Sequence, residues 1–273
     1  MSLKFTMLGC GASPGVPRIN GEWGNCDPSN PRNRRLRCSA LVERIGANGK
    51  TVAVIDTSPD FREQMLAAKV RHVDGVLYTH AHADHIHGID DLRQYALSQQ
   101  QRIPVYADAA TGQHLQTAFG YCFATPPGGM YPPILAMNAL EAGKSVRIEG
   151  EGGPLDFVPV LQTHGPMTSF GFRFGGDLAT LTGGLCYSPD ISGIPNQSIK
   201  QFEKLDVWVV DALQYRHHIS HFSLTDALQW IEKLAPKRAI LTHMHIPLDY
   251  ETVDNETPMH VIPGYDGLAI ELE

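Results

Sequence analysis

The residues with the clearest chemical content lie in one short run, Thr79-His80-Ala81-His82-Ala83-Asp84-His85-Ile86-His87-Gly88. Four histidines and one aspartate fall within eight positions. Imidazole nitrogens and carboxylate oxygens together suit Zn²⁺, Mn²⁺ or Fe²⁺. On an extended segment, residues two apart face the same way, so His80 and His82 can share one ion. Where the chain turns into a helix, Asp84 and His85 can swing towards a second, and the alanines between them let the backbone approach. Two divalent ions about 3.5–4 Å apart polarise an electrophile and bring the pKa of water from about 15.7 to about 7. The chemistry to expect is hydrolysis.

Such a run needs a strand in front of it and a helix behind it. Strand-like patterning is read over Leu3–Gly9, Ser39–Arg44, Thr51–Asp56, Val73–Thr79 and Pro104–Ala107. In the second half it recurs over Leu155–Val160, Ser169–Phe174, Leu178–Thr182, Leu205–Asp211, Ala239–Thr242 and Leu268–Leu272. Helical periodicity is expected over Phe61–Val70, Asp90–Gln100, Thr111–Phe119, Ile199–Lys204 and Leu224–Leu234, the last with Ser223 as its cap. Strands outnumber helices in both halves, which points to an α/β fold of two sheets with helices outside them. Ser13–Arg37 and Thr125–Pro133 are irregular and rich in Gly and Pro. Neither reads as a linker, so a single domain over 1–273 is expected.

The 273 residues carry 22 basic and 29 acidic side chains, a net charge of −7. That balance argues against a surface built to coat nucleic acid. No apolar run approaches the roughly 18–20 residues needed to cross a bilayer, and the N-terminus lacks a signal-peptide pattern. Five scattered cysteines, Cys10, Cys26, Cys38, Cys122 and Cys186, suggest reduced thiols and a cytoplasmic address.

The His80–His85 motif resembles the first metal motif of the metallo-β-lactamase superfamily, HxHxDH. The resemblance implies a four-layer αββα sandwich and further ligands in chain order: His164 after LDFVPVLQT, Asp190 after LCYSP, and His243 after RAILT. It assigns His80, His82 and His164 to one ion, Asp84, His85 and His243 to the other, and Asp190 to both. The implied cofactor is two divalent ions per chain, Zn or Mn, with Fe as a further candidate. An aspartate at position 190 suits hydrolases of phosphoesters or thioesters, where a cysteine would lean towards true β-lactamases.

In the phosphodiesterase branches, an acidic residue at a strand end orients a histidine that opens the next helix and protonates the leaving oxygen. Asp211 and His221 look like this pair, with His217 and His218 as competitors. His221, Asp211 and Asp84 form the implied catalytic set, and the carboxylate is expected to raise the pKa of His221. The N-terminal segment Leu8–Val42 is similar to that of the phosphoribosyl cyclic phosphate phosphodiesterases. Family members can carry a structural zinc there, and this chain offers only Cys26, Cys38 and His245 for it. The same segment holds Arg18, Arg32, Arg34, Arg35 and Arg37 against Glu22 and Asp27. Arg18 and Arg35, with His218, are candidates for contacting a substrate phosphate.

The expected function is a metal-dependent phosphodiesterase acting on a cyclic phosphate or a nucleotide-sized diester. Its partner is a small phosphorylated substrate, with no membrane, no stable nucleic-acid complex and a possible homodimer. The alternatives are a thioesterase or lactonase resembling glyoxalase II, a tRNA-processing nuclease, and a non-catalytic nucleotide sensor.

Overall fold

In the first half of the chain, apolar runs broken by Gly, Asp and Pro form β1 (Ser2–Gly9), β2 (Ser39–Ile45), β3 (Lys50–Ile55), α1 (Phe61–Ala67), β4 (Gly75–Leu77), α2 (Ala83–Ile86), α3 (Arg93–Gln99), β5 (Ile103–Ala107), α4 (Ala109–Ala118), α5 (Gly120–Phe123) and β6 (Leu135–Ala139). The second half forms β7 (Val146–Ile148), β8 (Leu155–His164), β9 (Met167–Phe174), β10 (Leu185–Ser188), β11 (Val207–Asp211), α6 (Leu224–Leu234), β12 (Arg238–Thr242), α7 (Tyr250–Glu256), β13 (Val261–Pro263) and β14 (Ala269–Leu272). The computed structural model describes residues 2–272. Met1 and Glu273, the ends of the expected domain, lie outside the described residues.

The strands form two seven-stranded sheets, ordered β14-β1-β2-β3-β4-β5-β6 and β13-β12-β11-β10-β9-β8-β7. Phe5, Phe157, Phe172, Phe174 and Tyr187 are fully buried in the main core, with Phe157 and Phe174 5.3 Å apart between ring centres. Phe61 and Met65 of α1, Ala96 of α3 and Leu115 of α4 pack with Val52, Val54 and Val76 of the first sheet. Leu224, Ala227, Ile231 and Leu234 give α6 one buried stripe at helical spacing, and its start carries the expected Ser223 cap as a full capping box with Asp226. Strands covered on both faces read as unbroken apolar runs, and the buried stretches of β3 and β11 do so. The result is the αββα sandwich.

Strand direction, more than strand order, decides where the ligands can gather. β3, β4 and β5 are mutually parallel, as are β10, β11 and β12. β8 is antiparallel to β9, which is antiparallel to β10, so β8 runs with β10. The carboxyl ends of each set therefore lie along one edge of their own sheet, where open α/β sheets hold their ligands, and residues from the two edges meet.

Several expected elements shift. Leu178–Thr182 is a turn, not a strand: glycines with positive φ stand on both sides of it, and the Asp177 carboxylate accepts from the amides of Ala179 and Thr180. The strand forms three residues later, as β10. Asp90–Gln100 divides into a 3₁₀ turn, Ile89–Leu92, and α3, while Ile199–Lys204 belongs to a 3₁₀ stretch, Asn196–Phe202. β6, β7, β13 and α7 were not anticipated. α7 buries only Tyr250 and Val253 and is started by the Asp249 cap, so it offers little apolar periodicity.

The 13–37 insertion is fastened to residues 244–250 by apolar packing and hydrogen bonds. Val16, Cys26 and Ile246 form a small apolar cluster. Asn33 is fully buried; its amide donates to Asp249 Oδ2 (2.6 Å) and to the Asp27 carbonyl (3.2 Å). Its carbonyl accepts from the Tyr250 amide (2.8 Å) and from Arg35 (3.1 Å). Every hydrogen-bonding position of that side chain is used. Cys26 shares its thiol proton between the Ile246 and Leu248 carbonyls, and burial pushes the thiol up, away from the thiolate a metal would need. Cys38 faces the Gly11 carbonyl and Thr242, and His245 takes its hydrogen bond from Arg18. Among the described residues, Cys26, Cys38 and His245, the candidates for a structural metal, do not come together as a ligand group.

Replacing Asn33 with Ala leaves the Tyr250 amide and the Asp249 carboxylate without their buried partner. A loss of about 2–3 kcal/mol is expected, read as a lower urea midpoint. An unchanged midpoint would remove Asn33 from the latch.

Candidate metal centre

Where the two edges meet, β4 delivers an extended Thr79–His82 segment, and His82 is the N-cap of α2, which carries Asp84 and His85. Gly88 closes this turn; a side chain there would collide with the Ser58 carbonyl and Phe61. From the second sheet come His164 at the end of β8, Asp190 two residues past β10, Asp211 at the end of β11 and His243 just past β12.

The structure brings these side chains together. Ligand atoms of His80, His82, His164 and Asp190 lie within 4.8 Å of one another, as do those of Asp84, His85 and His243. Asp190 spans the two groups. Its Oδ1 is 3.0 Å from His85 Nε2 and 3.6 Å from His243 Nε2. Its Oδ2 is 3.6 Å from both His80 Nε2 and His164 Nε2. Asp84 Oδ2 stands 3.4 Å from His85 Nε2 and 3.5 Å from His243 Nε2.

Buried polar atoms are nearly always hydrogen-bonded, yet His80 Nε2, His85 Nε2, His243 Nε2 and Asp190 Oδ1 have no hydrogen-bond partner among the described residues. Lone pairs of the two ligand types that divalent cations favour, buried and facing one another across a few ångströms, fit a pair of such ions. The electrostatics differ between the two groups. Burial holds His80 well below the usual histidine range and takes His164 down to about 4, leaving neutral imidazoles, the form that ligates. In the second group, Asp190, Asp84 and Asp56 outweigh burial and hold His85 well above the usual histidine range. Burial alone would raise Asp190, but His243, His85 and His80 around it hold it well below the usual carboxylate range.

The far nitrogens of the rings are held as well. His85 Nδ1 donates to Asp56 Oδ2 at 2.7 Å. The same carboxylate accepts from the Thr79 amide and hydroxyl, both at 2.8 Å, and Thr79 Oγ1 sits 2.9 Å from His80 Nδ1. His164 Nδ1 donates to the Ser220 carbonyl at 2.6 Å, and Ser13 Oγ donates to Asp84 Oδ2 at 2.8 Å. Asp56 and Ser13 were missed by the sequence reading, which took Asp56 as the end of a strand. The available signal was an aspartate closing an otherwise apolar run, and in the structure it adopts φ +63°, which aspartate tolerates better than most residues.

His221 lies against this centre. Its Nδ1 meets Asp211 Oδ2 at 2.7 Å, its ring stacks on His243 at 4.6 Å, and its Nε2 is 3.9 Å from Asp190 Oδ2. The expected rise in its pKa is not found: burial lowers His221, and burial also raises Asp211 well above its ordinary value. His218 is next to His221, 5.2 Å between rings, while His217 is exposed and 3.9 Å from Asp226. Arg18 pairs with Glu22 at 2.7 Å and hydrogen-bonds His245. Arg35 is not available to a substrate: it is 1% exposed and committed to Asn33 and Cys26.

Residues 51–244 match the β-lactamase superfamily domain. A diphosphatase of the PhnP family is similar along its whole length, with 32% identity and a TM-score of 0.85 over 100% of this chain and 98% of that one. The short form of human tRNase Z shares the fold, with a TM-score of 0.63 at 16% identity over 99% of both chains. An octanoyltransferase of Porphyromonas gingivalis is 30% identical over 271 residues, covering 97% of this chain and 51% of that protein. The chain thus spans about half the length of that curated relative.

Removing the carboxylate behind His85 tests how far the centre depends on what lies behind its ligands. Asp56→Asn is expected to weaken divalent-metal affinity about 10–100-fold, measured by competition with a chelating dye, with the circular-dichroism spectrum retained. Wild-type affinity in that variant would show that the Asp56–His85 contact does not tune the site.

Proposed function

The chain belongs to the β-lactamase superfamily, and from that premise we propose that it is a dinuclear metal-dependent phosphodiesterase, opening a cyclic phosphate or cleaving a nucleotide-sized diester to a monoester. The observation that carries this reading is Asp190, whose two oxygens each face one histidine group, with the Asp211–His221 pair at its side. His80, His82 and His164 would hold one ion and Asp84, His85 and His243 the other, with Asp190 offering an oxygen to each group. Bound there, Zn²⁺ or Mn²⁺, with Fe²⁺ as the third candidate, supplies Lewis-acid polarisation of a phosphoryl oxygen and an activated water.

The chain's own groups then divide the remaining work. His221 presents Nε2 towards the gap and gives its proton to the leaving oxygen as the P–O bond breaks; the water's oxygen forms the new P–O bond, and its proton passes to solvent. Asp211 hydrogen-bonds Nδ1 and holds the ring in place. The full-length similarity to a PhnP-family diphosphatase supports phosphorus chemistry. The net charge of −7 favours a small phosphorylated substrate over docked RNA.

A second reading, hydrolysis of an acyl ester or thioester, is favoured by the similarity to a protein named octanoyltransferase. A thiolate leaves without needing a proton donor, so the two readings separate at His221. With enzyme loaded with Zn²⁺ or Mn²⁺, bis(p-nitrophenyl) phosphate and 2′,3′-cyclic nucleotides are expected to turn over. His221→Ala should lower kcat about 10²–10⁴-fold with metal content unchanged, whereas Asp190→Ala should lose both activity and metal. An octanoyl thioester cleaved at full rate by His221→Ala, with no diester hydrolysed by the wild type, would replace the first reading with the second.

A further inference from the structure

His80, His85 and His164 are held from behind, through the ring nitrogen turned away from the other candidate ligands. Asp84 is held at the front. The oxygen that accepts from the Ser13 hydroxyl at 2.8 Å, Oδ2, is also the one facing His85 Nε2 at 3.4 Å and His243 Nε2 at 3.5 Å. Asp84 is buried, whereas Ser13 is exposed at the start of the insertion.

The backbone, rather than the hydroxyl, seats Ser13. Beyond β1 the Gly11 amide donates to the Leu36 carbonyl (2.8 Å) and the Ala12 amide to the Met244 carbonyl (3.3 Å), while the Met244 amide donates to the Cys10 carbonyl (2.9 Å). A Cβ on Gly11 would stand 2.9 Å from the Arg35 carbonyl oxygen, so this stretch is closely packed. The turn that follows is closed by Gly15 at φ +70°, whose amide donates to the Ala12 carbonyl at 2.7 Å. Met244 directly follows His243, so the stretch that carries Ser13 is fastened to the neighbour of a ring that Asp84 faces. Burial and the Asp190 charge oppose an ionised Asp84, but His85 and His243 outweigh them and hold it below the usual carboxylate range. What remains to be set is the plane of that carboxylate, whose terminal torsion is intrinsically soft. A donor anchored by rigid backbone sets it.

We propose that Ser13 is a positioning residue for one of the two metal groups: its hydroxyl fixes the Asp84 carboxylate and so governs how tightly Asp84, His85 and His243 take an ion, without acting on His80, His82 and His164. The inference rests on the dinuclear reading of the site and deepens it, because it makes the insertion a support for one ion and not the other.

Zinc affinity, read by competition with a chelating dye, is compared in two backgrounds. His82→Ala leaves Asp84, His85 and His243 intact; Asp84→Ala leaves His80, His82 and His164. Adding Ser13→Ala is expected to weaken zinc binding about tenfold in the first background, the lower end for loss of a ligand's hydrogen-bond partner, and to change nothing in the second. Ser13→Thr, which keeps a hydroxyl, should restore the affinity. No loss in the first background, an equal loss in both, or a Thr variant as weak as the Ala variant would overturn the assignment. If either background takes up no zinc, the two uptake steps of Ser13→Ala itself decide: one step weakened about tenfold upholds the proposal, and none or both weakened overturns it. Failure of the dinuclear reading looks different, because the wild type would then take up fewer than two zinc ions per chain. With a single ion, a loss in Ser13→Ala that Ser13→Thr reverses upholds Ser13, and an unchanged affinity overturns it; with no ion, both readings fall.

Discussion

Two carboxylates and five imidazoles meet in one seam between two sheets, all but the part-exposed His82 buried away from water. Burial of unpaired polar atoms costs about 1–3 kcal/mol each, and more for charged ones. The arrangement is tolerable only if the ligand atoms find positive charge in front of them and hydrogen-bond partners behind them. The far side of the seam is organised accordingly: Asp56 and Thr79 behind His85 and His80, the Ser220 carbonyl behind His164, and Asp211 beside His221. The near side is left with orphaned nitrogens and a shared carboxylate. Most of what is distinctive in the molecule comes from holding those lone pairs in place.

Rigidity comes from the sheets. Apart from Asp84 and His85, which α2 carries, each candidate ligand sits at or within about five residues of a strand end, and the parallel pairing of β3 with β4, and of β10, β11 and β12, aligns such ends within each sheet. An aromatic core between the sheets fixes their spacing. At two points the backbone itself adapts: Asp56 and His243 adopt positive φ, +63° and +55°, turning their side chains back towards the centre. Strained conformations of this kind cost of order 1–3 kcal/mol and persist where surrounding structure determines them.

The insertion shows a different economy. A saturated amide at Asn33, a protonated thiol at Cys26 and a small apolar cluster fasten it to the segment after His243. Because that latch uses Arg35 internally, the arginines of the loop are not equivalent. One is structural, one is paired with Asp60, and one faces solvent beside the site. Composition alone shows five arginines and no such division of labour.

The histidine–aspartate spacing at 80–85, the strand ends that carry His164, Asp190 and His243, the pairing of Asp211 with His221 and the Ser223 cap were all legible in the sequence. Each is written in local periodicity or in the order of a recognisable motif. Leu178–Thr182, the short strands β6, β7 and β13, and the helix α7 were not, because their conformation depends on flanking glycines, caps and neighbours rather than on apolar pattern. Asp56, 29 residues from the histidine it orients, and Ser13, 71 residues from Asp84, leave no periodic trace of their contacts. Residue type and spacing determined which groups could ligate and in what order. Only the tertiary structure decided which lone pairs face each other, which arginine is buried and that burial lowers His221 instead of its carboxylate raising it, because burial and through-space distance are properties of the packed chain.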